Sequence, residues 1–205
     1  PYTSLFRSMN TTEFLNITSL IVPDRTAIVF DGKRFSFQEL EERVKRLANA
    51  LSGMGVGAGD RIATMQVNCN ENIETYFAAA KLDAVYVPLN FRSRPEEIEY
   101  MINDSKPKVL ITGERYVSMV DEIKPDLTSV AGYVVLDDAS EEGWESYEHL
   151  LSVSSDEDLY PTGDEDDLTM VMFTAGTTGS PKGVMHTFSS FATGAQNILN
   201  IVELK

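Results

Sequence analysis

The sequence has a single cysteine and no long apolar run, which excludes internal disulfides and argues against a membrane-spanning helix. Cys69 is the only cysteine, so no internal disulfide can form. A single free thiol is typical of a reducing compartment, which predicts a cytoplasmic protein. No stretch reaches the roughly 18 consecutive apolar residues of a membrane-spanning helix, so we predict no membrane span. The first residues, PYTSLFRSMNTTEF, also lack the basic leader and apolar core of a signal peptide.

Basic residues are absent from one long internal stretch. Between Asp126 and Pro181 there is no lysine or arginine, but there are 14 of the 32 acidic residues. The rest of the chain carries 18 acidic and 17 basic residues, so the net charge of −15 is concentrated in this stretch. Such a charge balance argues against nucleic-acid binding, which requires a basic face. We predict that residues 136–167 form a solvated, partly flexible acidic linker, held to the body by Trp144 and Tyr147. A docking surface is the alternative.

Apolar periodicity predicts an α/β fold with a mostly parallel sheet covered by helices. Strand-like runs alternate with helical patterns of about ten residues, which is typical of βαβ units. The predicted strands are 26–30, 33–35, 61–66, 84–89, 108–112, 133–136 and 168–173. The predicted helices are 11–21, 36–53, 93–103, 114–123, a short one around 149–151 and one from 188 to the end. A further helix is predicted after the polar loop 68–70, with Ile73, Tyr76, Phe77 and Ala80 on one face.

Local signals mark several element ends. Asp31 and Gly32 form a hairpin-turn dipeptide between the first two predicted strands. Capping boxes are predicted where Ser36 precedes Glu39 and where Ser93 precedes Glu96. In the first helix, Phe14, Ile17 and either Leu20 or Ile21 would share one apolar face. Cys69 has no neighbouring histidine or cation to lower its pKa, so we interpret it as structural rather than nucleophilic.

The most informative stretch is FTAGTTGSPKGV, which follows the buried-strand pattern LTMVMF. Its glycines allow successive backbone N–H groups to turn toward one point, and its hydroxyls add donors. Lys182 supplies a mobile positive charge suited to phosphate oxygens. The stretch therefore predicts a phosphate-binding loop over residues 173–184, and a flexible surface turn is the alternative. It is not a Walker A loop, because Pro181 precedes the lysine and Gly183 follows it.

This stretch resembles the phosphate-loop signature of the adenylate-forming superfamily, whose usual pattern is Tyr/Phe-Thr-Ser-Gly-Thr-Thr-Gly-x-Pro-Lys-Gly-Val. The chain departs from it at Ala175, where serine is usual, and at Phe188, where histidine is frequent; His186 lies two positions early. The resemblance implies that Lys182 is catalytic and that Thr177 contributes to Mg²⁺ binding through ATP. It implies an ATP-binding set of Thr174, Ala175, Gly176, Thr177, Thr178, Gly179, Ser180, Pro181, Lys182 and Gly183.

A second stretch, AAAKLDAVYVPLNFRSRPEEIEYMINDSKPKVLI, resembles acyl-CoA synthetases in particular. This implies ATP-dependent activation of a carboxylic acid, with a fatty acid favoured, followed by transfer to coenzyme A; Mg²⁺ would accompany ATP. Residues 1–205 would be the N-terminal portion of the AMP-binding domain, without the rest of that domain or the C-terminal domain. The fragment alone is then expected to be inactive and to self-associate through exposed apolar surface. The alternatives are a peptide-synthetase-type adenylation domain that loads a carrier protein and a non-catalytic acidic binding module.

A short triplet before the phosphate-loop strand matches a second motif of the superfamily. Thr162, Gly163 and Asp164 spell a triplet that the superfamily uses much later in the chain to hold the ribose of ATP. Here it precedes the phosphate-loop strand within the acidic stretch. We therefore interpret it as a chance match.

Overall fold

A computed structural model describes residues 10–136, 142–174 and 180–201. The helices are α1 (Thr11–Ile21), α2 (Phe37–Gly53), α3 (Asn70–Lys81), α4 (Pro95–Ser105), α5 (Val117–Ile123), α6 (Tyr147–Val153) and α7 (Phe188–Ile201). The strands are β1 (Thr26–Phe30), β2 (Lys33–Ser36), β3 (Arg61–Met65), β4 (Val85–Pro88), β5 (Val109–Thr112), β6 (Gly132–Val135), β7 (Glu145–Ser146), β8 (Leu168–Thr174) and β9 (Lys182–Thr187). No helix in these ranges is both long and apolar enough to cross a membrane.

Seven strands form one sheet in the order β7-β6-β5-β3-β4-β8-β9, and β1 and β2 form a separate hairpin. Every neighbouring pair in the large sheet is parallel except β8 and β9. One buried cluster includes side chains of α1, α2, α3 and α6, and a second includes those of α4 and α5. The predicted α/β fold with a mostly parallel, helix-covered sheet is confirmed.

Two of the local signals differ in outcome. Ser36 caps α2 as predicted: its Oγ accepts the Glu39 N–H at 3.1 Å, and the Glu39 carboxylate accepts the Ser36 N–H at 2.7 Å. The predicted Ser93–Glu96 box is wrong by one residue. Arg94 is the N-cap of α4, and its N–H donates to the Glu97 carboxylate at 3.0 Å. Pro95 sets this start, because it occupies the first helical position, where no N–H is needed.

The apolar face predicted for α1 is largely exposed. Phe14 is 48% exposed and Leu20 is 83% exposed, whereas Leu15 is buried. The helix exists where its sequence predicts it, but a different stripe faces the core. The apolar periodicity of the sequence predicts that a helix forms, but the packing of α1 against α2 and α3 determines which of its faces is buried.

The described part of the acidic stretch, residues 142–167, contains β7 and α6, so it is more regular than a partly flexible linker. Trp144 and Tyr147 are buried, as expected of the residues that hold it to the body. Its carboxylates pair with cations of α2 and α3, including Asp158 with Lys81 at 2.6 Å and Glu148 with Arg43 at 2.6 Å. The local excess of negative charge is thus partly neutralised by helices distant in sequence.

Candidate phosphate-binding site

The predicted phosphate loop lies at the closed end of a β-hairpin. β8 and β9 are antiparallel, and the last paired residues before the loop are Thr174 and Lys182. The Thr174 hydroxyl also donates to the Lys182 carbonyl at 3.4 Å. Sequence reasoning predicted β8 but missed β9, because the glycine-rich stretch hides the start of a second strand. Of the predicted binding set, Ala175, Gly176, Thr177, Thr178 and Gly179 lie outside the described residues.

The described members of the set lie close together and are accessible. Thr174, Ser180, Lys182 and Gly183 are exposed, and Pro181 is half-buried. In the parts of the chain that the structure describes, no ion pair involves Lys182. Its ammonium group is therefore available to an anion at the mouth of the hairpin.

Alternating side chains of β8 pack the hairpin against the two core clusters, one on each face of the sheet. Met170 is buried in the first core cluster, while Val171 and Phe173 pack against the second. Gly183 lies opposite Phe173 in the register. A Cβ at Gly183 would lie 2.9 Å from Cγ1 of Val171, so only glycine fits without a shift. This close approach, rather than an unusual backbone angle, explains the glycine after the lysine.

The position of the loop in the sheet suits ligand binding. β8 is parallel to β4, so both strands end at the same edge of the sheet. In open α/β sheets, ligands bind beyond the carboxyl ends of the strands. Thr174 ends β8 at this edge, directly before residues 175–179 in the chain.

The described residues offer little for a protein-held metal. No group of three or more His, Cys, Asp and Glu side chains among them is arranged to bind an ion. Thr177, the predicted contributor to Mg²⁺ binding, lies outside the described residues. Mg²⁺ that enters with ATP takes most of its ligands from phosphate oxygens and water, so a protein cage is not required.

Two other candidates for chemistry have structural explanations. Burial, reinforced by a hydrogen bond with Glu71, raises the pKa of Cys69 to about 12, so the thiolate needed of a nucleophile is disfavoured. This agrees with its interpretation as a structural residue. His186, two positions from the usual histidine, lies with its ring centroid 5.1 Å from that of Phe191. Phe188, at the usual position, is buried.

Comparison with known proteins shows the family to which the chain belongs. The sequence model of the family "AMP-binding enzyme" matches residues 21–204. The chain is 34% identical over 197 residues to an indoleacetate–CoA ligase of Aromatoleum aromaticum, covering 96% of this chain and 38% of that protein. It is 32% identical over 190 residues to a long-chain-fatty-acid–CoA ligase of Thermus thermophilus, covering 91% and 35%. The chain thus spans little more than a third of the length of these curated relatives.

Solved structures agree on the architecture. The inhibitor-bound N-terminal domain of FACL13 from Mycobacterium tuberculosis superimposes with a TM-score of 0.88 at 27% identity, covering 96% of this chain and 48% of that one. An anthranilate–CoA ligase in complex with anthranoyl-AMP gives a TM-score of 0.90 at 24% identity, covering 95% and 38%. The chain belongs to the AMP-binding enzyme family, and its fold matches part of the N-terminal domain of acyl-CoA ligases.

Proposed function

We propose that the protein is an acid–thiol ligase, which uses ATP to turn a carboxylate into an acyl-adenylate and pyrophosphate and then passes the acyl group to coenzyme A. The observation that carries the proposal is the glycine-rich sequence between β8 and β9, followed by Lys182, which forms no ion pair with any residue that the structure describes, in a chain of the AMP-binding family. Curated relatives are named as ligases of indoleacetate and of long-chain fatty acids. A fatty acid is our first choice of carboxylate.

The residues of the loop would act on the phosphates of ATP. Backbone N–H groups and the hydroxyls of Thr174 and Ser180 supply donors to the β- and γ-phosphate oxygens. When the carboxylate attacks the α-phosphate, negative charge builds on the departing pyrophosphate. Lys182, whose backbone is held at the start of β9, would stabilise that charge with its ammonium group. Mg²⁺, bound to the same phosphates, would supply further charge neutralisation.

Coenzyme A is preferred to a carrier protein as acceptor because the curated relatives cited above are CoA ligases. A non-catalytic binding module has no observation in its favour beyond the acidic charge. The two acceptors are separable in one assay: release of acyl–CoA against acylation of a phosphopantetheinyl carrier protein. A cytoplasmic location stays a prediction.

We also propose that residues 1–205 alone bind ATP weakly and do not turn over. The support is that the relatives are more than twice as long, and that catalysis requires both reactants to be positioned together. Met185 at 73% and Met172 at 43% exposure present apolar surface on the hairpin, which favours self-association of the isolated chain. Light scattering after size-exclusion chromatography tests this point. A strictly monomeric chain at high concentration would contradict it.

The experiment for the proposed activity is carboxylate-dependent exchange between ATP and pyrophosphate, measured with the full gene product and a panel of aryl and fatty acids. Lys182→Ala should lower the exchange rate on the order of 10²-fold, as loss of a single preorganised donor does elsewhere. Lys33→Ala is the matched control, because it removes the same charge from an exposed position on the β1–β2 hairpin. An equal rate in both variants would overturn the assignment of Lys182.

A further inference from the structure

The Thr162-Gly163-Asp164 triplet has a structural partner 79 residues earlier in the chain. Oδ2 of Asp83 accepts the backbone N–H of Thr162 at 2.7 Å and that of Gly163 at 3.0 Å. The hydroxyl of Thr162 adds a weaker contact to the same oxygen at 3.3 Å. One carboxylate therefore holds the turn that leads into β8, and we call this set of contacts the Asp83 clasp.

Asp83 is itself held firmly by the body of the domain. Its φ of +51° is unusual for a residue with a side chain, and it lies between the end of α3 and the start of β4. The Asp83 carbonyl accepts the Gly59 N–H at 2.8 Å, and the Asp83 N–H donates to Ala80 at 3.3 Å. Aspartate is among the few residues that tolerate this conformation. Its carboxylate is thus a fixed point to which a neighbouring segment can be attached.

Gly163 is required by the closeness of the clasp. A Cβ at Gly163 would lie 2.7 Å from Oδ1 of Asp83 and 2.9 Å from Oδ2 of Asp167. Asp167 in turn accepts the Asp164 N–H at 2.8 Å and closes the turn. The triplet that looks like a misplaced ribose motif therefore has a packing reason in this chain.

The same turn also contacts the first turn of α7, which directly follows the far strand of the phosphate-loop hairpin. The Ser189 N–H, two residues beyond β9, donates to the Glu165 carbonyl at 2.9 Å. The Ser189 hydroxyl donates to Oδ1 of Asp166 at 3.2 Å. Residues 162–167 consequently join the start of β8 to the end of β9, at the base of the hairpin opposite the loop.

The hairpin has few other backbone ties to the parallel sheet. Four residue pairs register β3 with β4, and another four register β3 with β5. Only one pair, Tyr86 with Met170, registers β4 with β8. The clasp therefore supplies hydrogen bonds from backbone N–H groups to a side-chain carboxylate, which hold the approach to the hairpin next to β4, where strand pairing supplies few.

We propose that Asp83 is a positioning residue for the phosphate loop: it anchors the base of the β8–β9 hairpin and so fixes the loop at its other end. The seven residues of β8, Leu168 to Thr174, separate the two ends by about 20 Å, so Asp83 acts through the hairpin and not on the ligand. The link to phosphate binding rests on the function proposed above. The anchoring itself does not.

Hydrogen–deuterium exchange of the 205-residue chain tests the anchoring without any ligand. Asp83→Gly tolerates the positive φ but removes the acceptor, whereas Asp83→Asn keeps both the tolerated φ and one acceptor oxygen. Asp83→Gly should raise exchange of β8 and β9 amides on the order of tenfold, as expected from losing hydrogen bonds to a charged group. Asp83→Asn should restore values near wild type, and the β5 and β6 amides should not change in either variant.

Gly163→Ala is the second variant, because its methyl group would displace the carboxylate while leaving Asp83 in place. It should loosen β8 and β9 in the same local pattern. If the β8 and β9 amides of Asp83→Gly exchanged at wild-type rates, the proposal would be overturned. It would also be overturned if the β5 and β6 amides exchanged faster to the same extent.

The link to the loop is tested by titrating the same variants with Mg-ATP. Asp83→Gly should weaken binding several-fold, with recovery in Asp83→Asn. If wild-type protein shows no ATP contact at the loop, the proposed function fails while the exchange data still decide the anchoring. If exchange rises in Asp83→Gly but ATP binding at the loop is unchanged, the positioning role is refuted and the phosphate-binding role stands.

Discussion

Replacing Glu74 with alanine should destabilise the domain more than any single surface substitution. Glu74 is fully buried, and its carboxylate accepts four hydrogen bonds. Two come from Arg43 at 2.9 and 3.1 Å, one from Asn70 at 2.8 Å and one from the Tyr147 hydroxyl at 2.7 Å. Burial, with Glu74 as the next contributor, raises the pKa of Tyr147 well above its ordinary value, so the phenol stays protonated and donates. This carboxylate joins α2, α3 and α6.

The size of the effect follows from what the substitution leaves behind. Breaking a buried ion pair by removing one partner costs about 3–5 kcal/mol. Arg43 is 20% exposed and keeps its second partner, Glu148, at 2.6 Å, so we expect the lower end of this range. The Tyr147 hydroxyl, in contrast, is left buried without this acceptor, at a cost of about 1–3 kcal/mol that is part of the same total. We therefore expect a loss of about 3 kcal/mol, or roughly 6–12 °C in Tm for a domain of this size.

Urea and thermal denaturation followed by circular dichroism measure this loss. Glu42→Ala is the matched control, because Glu42 pairs with Arg46 one turn away on α2 with its own side chain 50% exposed. The control should cost no more than about 0.5 kcal/mol. If Glu74→Ala and Glu42→Ala had equal effects, the buried network would contribute little and the reasoning would be refuted.

Three further predictions concern other parts of the fold. Cys69, whose pKa burial raises to about 12, should react with iodoacetamide at pH 8 far more slowly than free glutathione does, as followed by mass spectrometry; labelling at the same rate would contradict its burial. Burial opposes ionisation of Asp158, but the hydrogen bond and charge of Lys81 outweigh it and lower the Asp158 pKa below 3.8. A lowered folded pKa gives stability that is present above the unfolded value and lost as pH falls through the folded one, so urea midpoints should drop below about pH 4, and less so in Asp158→Asn. Gly183→Ala should lower the free energy of unfolding by about 1–3 kcal/mol, because the added methyl group clashes with Val171, and Tm should fall with it. An unchanged Tm would mean that the strand shifts freely.

Elements specified by local chemistry were predictable from the sequence. The Asp31-Gly32 turn has φ values of +46° and +75°, as a tight hairpin turn between β1 and β2 requires. The helix α2 begins at the predicted cap and ends at Gly53, because both its capping box and its apolar stripe are continuous in sequence. The phosphate loop is likewise predicted from consecutive residues, but it stays a prediction, because residues 175–179 lie outside the described part of the chain.

Features that depend on distant partners were not predictable. β9 becomes a strand through its pairing with β8, and its own residues carry no clear alternation of buried and exposed positions. Glu74 lies beside Ile73 on α3, yet the carboxylate is buried and Ile73 is 41% exposed. The reason is that Arg43 and Tyr147, 31 and 73 residues away, supply the donors that make burial of a charge tolerable. The Asp83 clasp was not predictable for the same reason, because Asp83 and Thr162 are 79 residues apart in the sequence.

Titration of the isotope-labelled chain with Mg-ATP, followed by nuclear magnetic resonance, tests most directly whether the hairpin loop binds nucleotide phosphates. Amide shifts should concentrate in the predicted binding set, at residues 174–180, Lys182 and Gly183 (Pro181 has no amide N–H), with an affinity near 1 mM, about −4 kcal/mol. Lys182→Ala should weaken binding by about tenfold, the effect expected of one charge-assisted contact, while Lys33→Ala should leave it unchanged. Shifts that spread elsewhere, or that persist equally in Lys182→Ala, would contradict the phosphate-binding role of this loop.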